Sequence, residues 1–379
     1  MPYAHECFSL LGDAQSFDAK TLDPHELTDV DALICRSTLT VDSQLLRYAK
    51  QLKMVATATA GFNHLDTHYL QNAGISWCSA AGCNAVAVAE YVISALFAEL
   101  SACEAPIKEL QKRTIGIVGA GNVGSALSQK LDALGIEYKL CDPPLAESGD
   151  SRVLVEMPEI LTCDVICLHV PLITQGEHPT LNLIGEEQLK QLSEKQIIIN
   201  ACRGGVLDEN AFLRGLNQQR MPKLILDAWL NEPRIDQTIL SLTALATPHI
   251  AGHTLEGKAR GTFMTYASLC QLLDKNVRKD LDDLLPEIPI KRVSESEIQD
   301  LWLIPEMIFS LYDIKLDDRH FRRLMAQSEN AVDTFRLFRA NYAVRREFSA
   351  QRLAVPSNMK NNAVIERLSK LGFQILVDK

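Results

Sequence analysis

No two cysteines in the chain are spaced as Cys-x-x-Cys, although ten are present, at positions 7, 35, 78, 83, 103, 141, 163, 167, 202 and 270. Several sit inside apolar, strand-like runs, which favours free buried thiols over disulfides in a chain of 379 residues. No histidine and cysteine cluster has zinc-ligand spacing, so no metal is expected. The longest apolar stretch, 86–100, is broken by Glu90 and Glu99 and is too short and too charged to span a bilayer. The start of the chain has no basic region followed by an apolar core, so no secretory signal is read and the expected compartment is the cytoplasm. There is no basic stripe, and the net charge is −10, which argues against a nucleic-acid partner. Repeats and low-complexity tracts are also absent.

What remains is an ordinary globular composition, 47% hydrophobic and 23% charged, long enough for two or three domains of roughly 150 residues each. Apolar runs alternate with helical patterns. Strands are expected at 31–35, 52–58, 75–78, 114–119, 137–141, 165–169, 196–200 and 224–227. Three of these runs, 114–118, 196–199 and 224–226, are apolar almost throughout, as parallel strands buried on both faces are. The segments 124–134, 186–192 and 208–216 have helical spacing. The expected fold class is therefore α/β, with a doubly wound parallel sheet. A long apolar helix over 84–100 joins an earlier α/β unit to the glycine-rich part. The pattern gives a first domain over 1–93, completed by 253–281, and a dinucleotide-binding domain over 94–252. Charged residues become denser past 280, and 282–379 reads as a separate small α+β domain.

Gly119-Ala120-Gly121-Asn122-Val123-Gly124 matches Gly-x-Gly-x-x-Gly, between an expected strand and an expected helix. The first glycine permits the tight turn, the second lets the backbone approach a pyrophosphate, and the third packs helix on strand. The amides near Asn122 and Val123 present partial positive charge to phosphates. Asp142 ends the next strand, where an acid accepts from the adenosine ribose hydroxyls. It would repel a 2′-phosphate, and Pro143-Pro144 follow in place of arginine, so NAD is favoured over NADP.

Three further residues follow strand-like runs in the same half of the chain. Arg203 precedes Gly204-Gly205 and can grip a carboxylate through two charge-assisted bonds. Glu232 and His249 can pair, the carboxylate orienting the ring and stabilising the imidazolium. Such a ring suits a base that takes a hydroxyl proton and later returns it. Taken singly, each has an unremarkable structural explanation; their coincidence beside a dinucleotide motif points to an NAD-dependent oxidoreductase.

On these residues, with Asn84 and Val88-Ala89-Glu90, the chain resembles the D-isomer-specific 2-hydroxyacid dehydrogenase superfamily. Arg36-Ser37, the segments 57–61, 82–85 and 141–144, Asn200-Ala201-Cys202-Arg203-Gly204, the segments 249–252 and 254–261, and Leu284-Leu285-Pro286 narrow the resemblance, as does the region around Arg345-Arg346-Glu347. They are similar to the branch that oxidises 4-phospho-D-erythronate to 3-hydroxy-2-oxo-4-phosphooxybutanoate, a step toward pyridoxal 5′-phosphate. The resemblance implies a Rossmann domain, a flavodoxin-like substrate domain and a homodimer formed through the C-terminal domain. It also implies Arg203, Glu232 and His249 as catalytic residues. Gly119, Gly121, Asn122, Val123, Gly124, Asp142, Val170, Ala201, Cys202, Arg203, Asp227 and Gly252 would contact cofactor, Asp227 through the nicotinamide amide. Ser37, Thr59 and His253 would contact substrate.

Arg36, Lys258, Arg260 and, across a dimer, Arg345 or Arg346 are candidates for the substrate phosphate. The same arginine, glutamate and histidine set also fits a 3-phosphoglycerate dehydrogenase or a non-catalytic NAD-sensing protein on this fold. Two departures stand out. His253 replaces a tyrosine that usually follows His-Ile-Ala-Gly, which would make the phosphate contact pH-dependent. Relatives begin with a short strand before the equivalent of Met1-Pro2-Tyr3-Ala4, so the natural start is expected upstream.

Overall fold

A computed structural model describes residues 1–217, 220–287 and 289–378. It divides the chain into two compact units, one built from 1–84 and 254–287 and the other from 85–253 and 288–379. Ile288 and Lys379, within the expected C-terminal domain, lie outside the described residues.

The first unit carries a parallel three-stranded sheet of β1 (Ala32–Cys35), β2 (Met54–Thr57) and β3 (Ser76–Ser79), in that order. Leu33, Cys35 and Val55 pack with Val41, Leu65 and Leu70 on one side. On the other, Met54 and Ala56 meet Tyr266, Leu269 and Cys270 of helix Leu255–Leu272. Gly261 is required in that helix, because a Cβ there would lie 2.6 Å from the Ala58 carbonyl oxygen.

The second unit carries β4 (Thr114–Val118), β5 (Glu137–Cys141), β6 (Val165–Leu168), β7 (Ile197–Asn200), β8 (Lys223–Leu226) and the short β9 (Leu245–Ala246). All pairs are parallel, in the order β5-β4-β6-β7-β8-β9. Residues alternate between two buried faces. Ile115, Ile117, Cys167 and Ile199 meet helices Ala85–Glu99 and Asn122–Leu134; Val118, Ile166, Ile198 and Leu226 enter a second cluster. A side chain fully buried in this way contributes about 1.5–3 kcal/mol, so this double burial is what holds the sheet together. The chain leaves β4 toward β5 on one side and returns to β6 on the other. A doubly wound sheet binds ligands at such a switch, beyond the carboxyl ends of the strands.

The C-terminal segment has its own parallel sheet, β10 (Ile290–Arg292), β11 (Arg352–Val355) and β12 (Gln374–Val377). Yet it differs from the expected separate domain, because it shares both cores of the dinucleotide unit. Leu303, Ile304, Met307 and Ile308 join the cluster around helix Ala85–Glu99, while Phe321, Phe335 and Phe338 join the other. That shared apolar burial also moves the first boundary back from 93 to 84, since the whole helix belongs to the second unit. None of the ten cysteines forms a disulfide among the described residues, and eight of them are buried. Among the described residues no helix is long and apolar enough to cross a membrane.

Candidate active site

β4 ends in the glycine turn, and each glycine there meets a different constraint. Gly119 has φ 95°, and a Cβ on it would lie 2.6 Å from the His169 carbonyl oxygen just past β6. A Cβ on Gly124 would lie 2.1 Å from the Gly119 carbonyl oxygen, which is the close helix-on-strand packing expected of the third glycine. At Gly121 a Cβ would meet nothing within 4 Å. The middle glycine is thus needed neither by the fold's packing nor by a positive φ. Helix Asn122–Leu134 starts at Gly121 with no side-chain cap, leaving the amides of its first turn for an anion. Open space at the second glycine and an uncapped helix start fit a dinucleotide pyrophosphate.

Asp142 directly follows β5, and its carboxylate braces the turn, accepting from Ala120 N at 2.9 Å and Leu145 N at 3.2 Å. Each oxygen retains acceptor capacity for a ribose hydroxyl. Val170 follows β6, and its Cγ1 would be 2.9 Å from a Cβ on Gly119. The ring nitrogens of neighbouring His169 are buried without a hydrogen-bond partner, and burial depresses its pKa to about 4, so the ring is neutral at physiological pH.

The loops after β7, β8 and β9 are stitched together by hydrogen bonds. Asn200, the last residue of β7, donates through Nδ2 to the Arg203 and Ala228 carbonyls and accepts from Cys202 N through Oδ1. A Cβ on Gly204 would sit 1.8 Å from the Trp229 carbonyl oxygen. This glycine therefore serves loop-on-loop packing. Trp229 Nε1 donates to the Thr247 carbonyl at 2.8 Å. Half-buried Arg203 donates from NH1 to the Cys202 carbonyl, which leaves most of the guanidinium fork for a ligand. Cys202 is buried beside Ala201 and Arg203, and desolvation pushes its thiol up to about 11, so it is no nucleophile.

His249 and Glu232 are brought together. His249 Nδ1 lies 2.7 Å from Glu232 Oε2, and Glu232 Oε1 accepts from Trp229 N at 2.7 Å. The backbone bends tightly at His249, with φ 55°, and at Asn231 just before Glu232, with φ 60°. Non-glycine residues in this left-handed region are uncommon and persist where the surroundings over-determine them.

Asp227, at the end of β8, is part of those surroundings. Its Oδ1 accepts from Thr247 Oγ1 and Ile250 N, both at 2.7 Å, and its Oδ2 accepts from Ala251 N at 2.9 Å. Burial raises its pKa, and these donors partly offset that. Tyr91 OH pairs with Thr247 Oγ1 at 2.8 Å. Gly252 and His253 complete the turn. The His253 amide donates to the Ile250 carbonyl, and its ring lies 6.1 Å from that of Tyr342.

Sequence reasoning missed Tyr91, Thr247 and Glu209. Glu209 Oε1 accepts from Leu230 N at 2.7 Å within the loop that bears Glu232. Burial raises its pKa to about 7, with Glu232, Asp236 and Asp208 adding to the shift. A cavity of about 250 Å³ lies beside it, lined by Leu230, Asn231, Arg234 and Asp236 among others.

In the other unit, exposed Ser37 follows β1 and Thr59 follows β2, at the carboxyl ends of adjacent parallel strands. Thr59 Oγ1 donates to the Gly61 carbonyl and pairs with Thr57 Oγ1, on which His64 Nε2 also converges at 2.9 Å. Of the phosphate candidates, Arg345 is buried against main-chain carbonyls of its own chain, and Arg260 bonds the Cys83 carbonyl.

Residues 93–251 match the family model for the NAD-binding domain of D-isomer specific 2-hydroxyacid dehydrogenases, and 284–372 match a domain of unknown function. The erythronate-4-phosphate dehydrogenase of Pseudoalteromonas atlantica is 45% identical, the match covering 98% of this chain and 97% of the relative. That of Colwellia psychrerythraea is 40% identical with the same coverage. Among solved structures, a D-lactate dehydrogenase from Aquifex aeolicus complexed with NAD and lactic acid aligns with TM-score 0.57 at 24% identity, over 72% of this chain and 92% of that one. A 3-phosphoglycerate dehydrogenase from Entamoeba histolytica with NAD bound aligns at 0.55 and 23%, over 66% and 82%. These two likenesses speak for the fold, and the near full-length relatives speak for the family.

Proposed function

The chain belongs to the erythronate-4-phosphate dehydrogenase family of NAD-binding D-2-hydroxyacid dehydrogenases, and from that premise we propose the following chemistry and site. The protein oxidises 4-phospho-D-erythronate to 3-hydroxy-2-oxo-4-phosphooxybutanoate. The observation that carries this reading is the 2.7 Å contact between His249 Nδ1 and Glu232 Oε2, in the unit whose sheet also bears the glycine turn.

Bound NAD supplies the hydride acceptor for C2 of the substrate. The turn Gly119 to Gly124 and the ends of β5 and β6, with Asp142 and Val170, hold the dinucleotide. Ala201, Cys202, Asp227 and Gly252 flank its nicotinamide end. Asp227 has one acceptor position left on Oδ2 for the nicotinamide amide.

With Nδ1 donating to Glu232, the neutral ring presents Nε2 as an acceptor, and that nitrogen takes the C2 hydroxyl proton. The resulting imidazolium is stabilised by the Glu232 carboxylate, which favours removal of the hydroxyl proton by the ring. Arg203 grips the substrate carboxylate through its fork. Ser37 and Thr59 contact the remaining hydroxyls or phosphate, and His253 takes the place of the family tyrosine at the phosphate end. The protein works in the cytoplasm as a homodimer formed through its C-terminal segment, and its product feeds pyridoxal 5′-phosphate synthesis.

The test is NADH formation from 4-phospho-D-erythronate and from 3-phosphoglycerate with the same preparation. Turnover at least about tenfold more efficient with the four-carbon acid, a difference of roughly 1.4 kcal/mol in transition-state binding, is expected. Equal or reversed preference would overturn the substrate assignment.

A further inference from the structure

We infer that Arg345, in the segment matching a domain of unknown function, is a positioning residue for the proton-transfer site. It clamps the turn that carries His249, an inference that rests on the dehydrogenase reading of that turn. Arg345 is 5% exposed. Its NH2 donates to the Ala251 carbonyl and to the Ala87 carbonyl, both at 2.7 Å, and NH1 reaches the Ile250 carbonyl at 3.5 Å. Its Cζ lies 4.1 Å from the centroid of the Tyr312 ring.

Burying a guanidinium costs several kcal/mol unless its donors are used. Here they are used on the catalytic turn itself. The amides of Ile250 and Ala251 are held by Asp227 and the carbonyls of the same two residues by Arg345. The peptide joining Ile250 to Ala251 is therefore held at both its N–H and its C=O, the first by Asp227 at the end of β8 and the second by the C-terminal segment, and the peptides on either side of it are each held once. His249 is strained at φ 55°, so releasing either side lets it relax toward an ordinary backbone conformation. The ring would then leave the 2.7 Å contact with Glu232. A planar fork can hold two carbonyls at once, whereas a lysine ammonium on a flexible stem holds its partners less rigidly.

Full-length Arg345→Lys and Arg345→Met are compared with wild type in two arms. The first follows the His249 Nδ1–H proton by NMR without any ligand, assigned by its loss in His249→Gln. The second measures kcat, KM and NADH affinity. Wild type should show the hydrogen-bonded proton, Arg345→Lys a broadened one, and Arg345→Met none. With NADH affinity within about threefold of wild type, kcat should fall roughly 30-fold or more in Arg345→Met and less in Arg345→Lys, as a displaced catalytic group does.

A folded Arg345→Met with an unchanged Nδ1–H signal and unchanged kcat overturns the inference. So does a loss of kcat matched by an equal loss of NADH binding, which marks general loosening. Should Arg345→Met fail to fold, Arg345→Lys keeps the buried charge and decides by the same two readings. Should wild type not turn over 4-phospho-D-erythronate, the functional reading fails while the NMR arm still decides the role of Arg345.

Discussion

His249 Nδ1 lies 2.7 Å from Glu232 Oε2, and this contact assigns the two ring nitrogens different tasks. One faces the carboxylate that stabilises the charged ring, and the other is left to exchange a proton with substrate. His249→Ala should lower kcat by about 10²–10⁴, the usual worth of a positioned general base, with little change in NADH affinity. Glu232→Gln keeps a hydrogen-bond acceptor but removes the charge, so a smaller loss of kcat is expected. Steady-state kinetics with fluorescence titration of NADH checks both. An active His249→Ala would remove the ring from the mechanism.

The glycine turn separates folding from cofactor binding. A Cβ on Gly124 meets the Gly119 carbonyl oxygen at 2.1 Å, whereas one on Gly121 meets nothing within 4 Å. Gly124→Ala should therefore destabilise the fold by about 1–3 kcal/mol, as overpacking does. Gly121→Val should leave the melting temperature nearly unchanged while weakening NADH binding by roughly tenfold, or about 1.4 kcal/mol. Thermal melts without ligand and NADH titrations distinguish the two. A Gly121→Val variant that melts early but binds normally would reverse this reading.

Glu209 should make stability fall with rising pH. Its folded carboxyl has a pKa of about 7, against an ordinary value of 4.5. Between those values the folded state holds a proton that the unfolded chain has lost. Stability contributed by this group is therefore full below 4.5 and declines as pH rises through 7. The whole shift corresponds to at most about 3 kcal/mol. Glu209→Gln still accepts from Leu230 N and carries no charge, so its melting temperature should vary less from pH 5 to 8 than that of wild type. Parallel curves for the two proteins would show that Glu209 does not titrate in this range.

Thr247→Val removes one of three donors to buried Asp227 and strands the Tyr91 hydroxyl. A loss of about 1–3 kcal/mol is expected from leaving such buried groups unsatisfied, read in urea denaturation. Thr247→Ser, which keeps the hydroxyl, should recover most of it. Equal losses in both variants would assign the effect to the missing methyl.

The sheet of the second unit was legible because periodicity and motif are local. β4 to β8 lie within a residue or two of the expected runs, since strands buried on both faces leave continuous apolar stretches. β9 was expected only as a strand-like run before His249, without bounds; it has two residues, too few for a pattern to set its ends. The separate C-terminal domain was read from a change in composition, but charge density describes a surface and says nothing of which core a segment enters. The need for glycine at 204 comes from the Trp229 carbonyl of another loop, which a single sequence does not show.

The amino-acid sequence by itself determined the α/β class, the glycine turn, the acid at the end of β5 and the identity of Arg203, Glu232 and His249. Each follows from residue type and spacing within one strand-turn-helix unit. Only the tertiary structure decided that Glu232 meets Nδ1 of His249, that Asp227 and Arg345 hold the turn from opposite sides, and that a glutamate far from any motif braces the Glu232 loop. Those contacts join residues remote in sequence, and their energies come from burial, where an unpaired polar group is costly. Burial is a property of the packed chain and leaves no periodic trace along it.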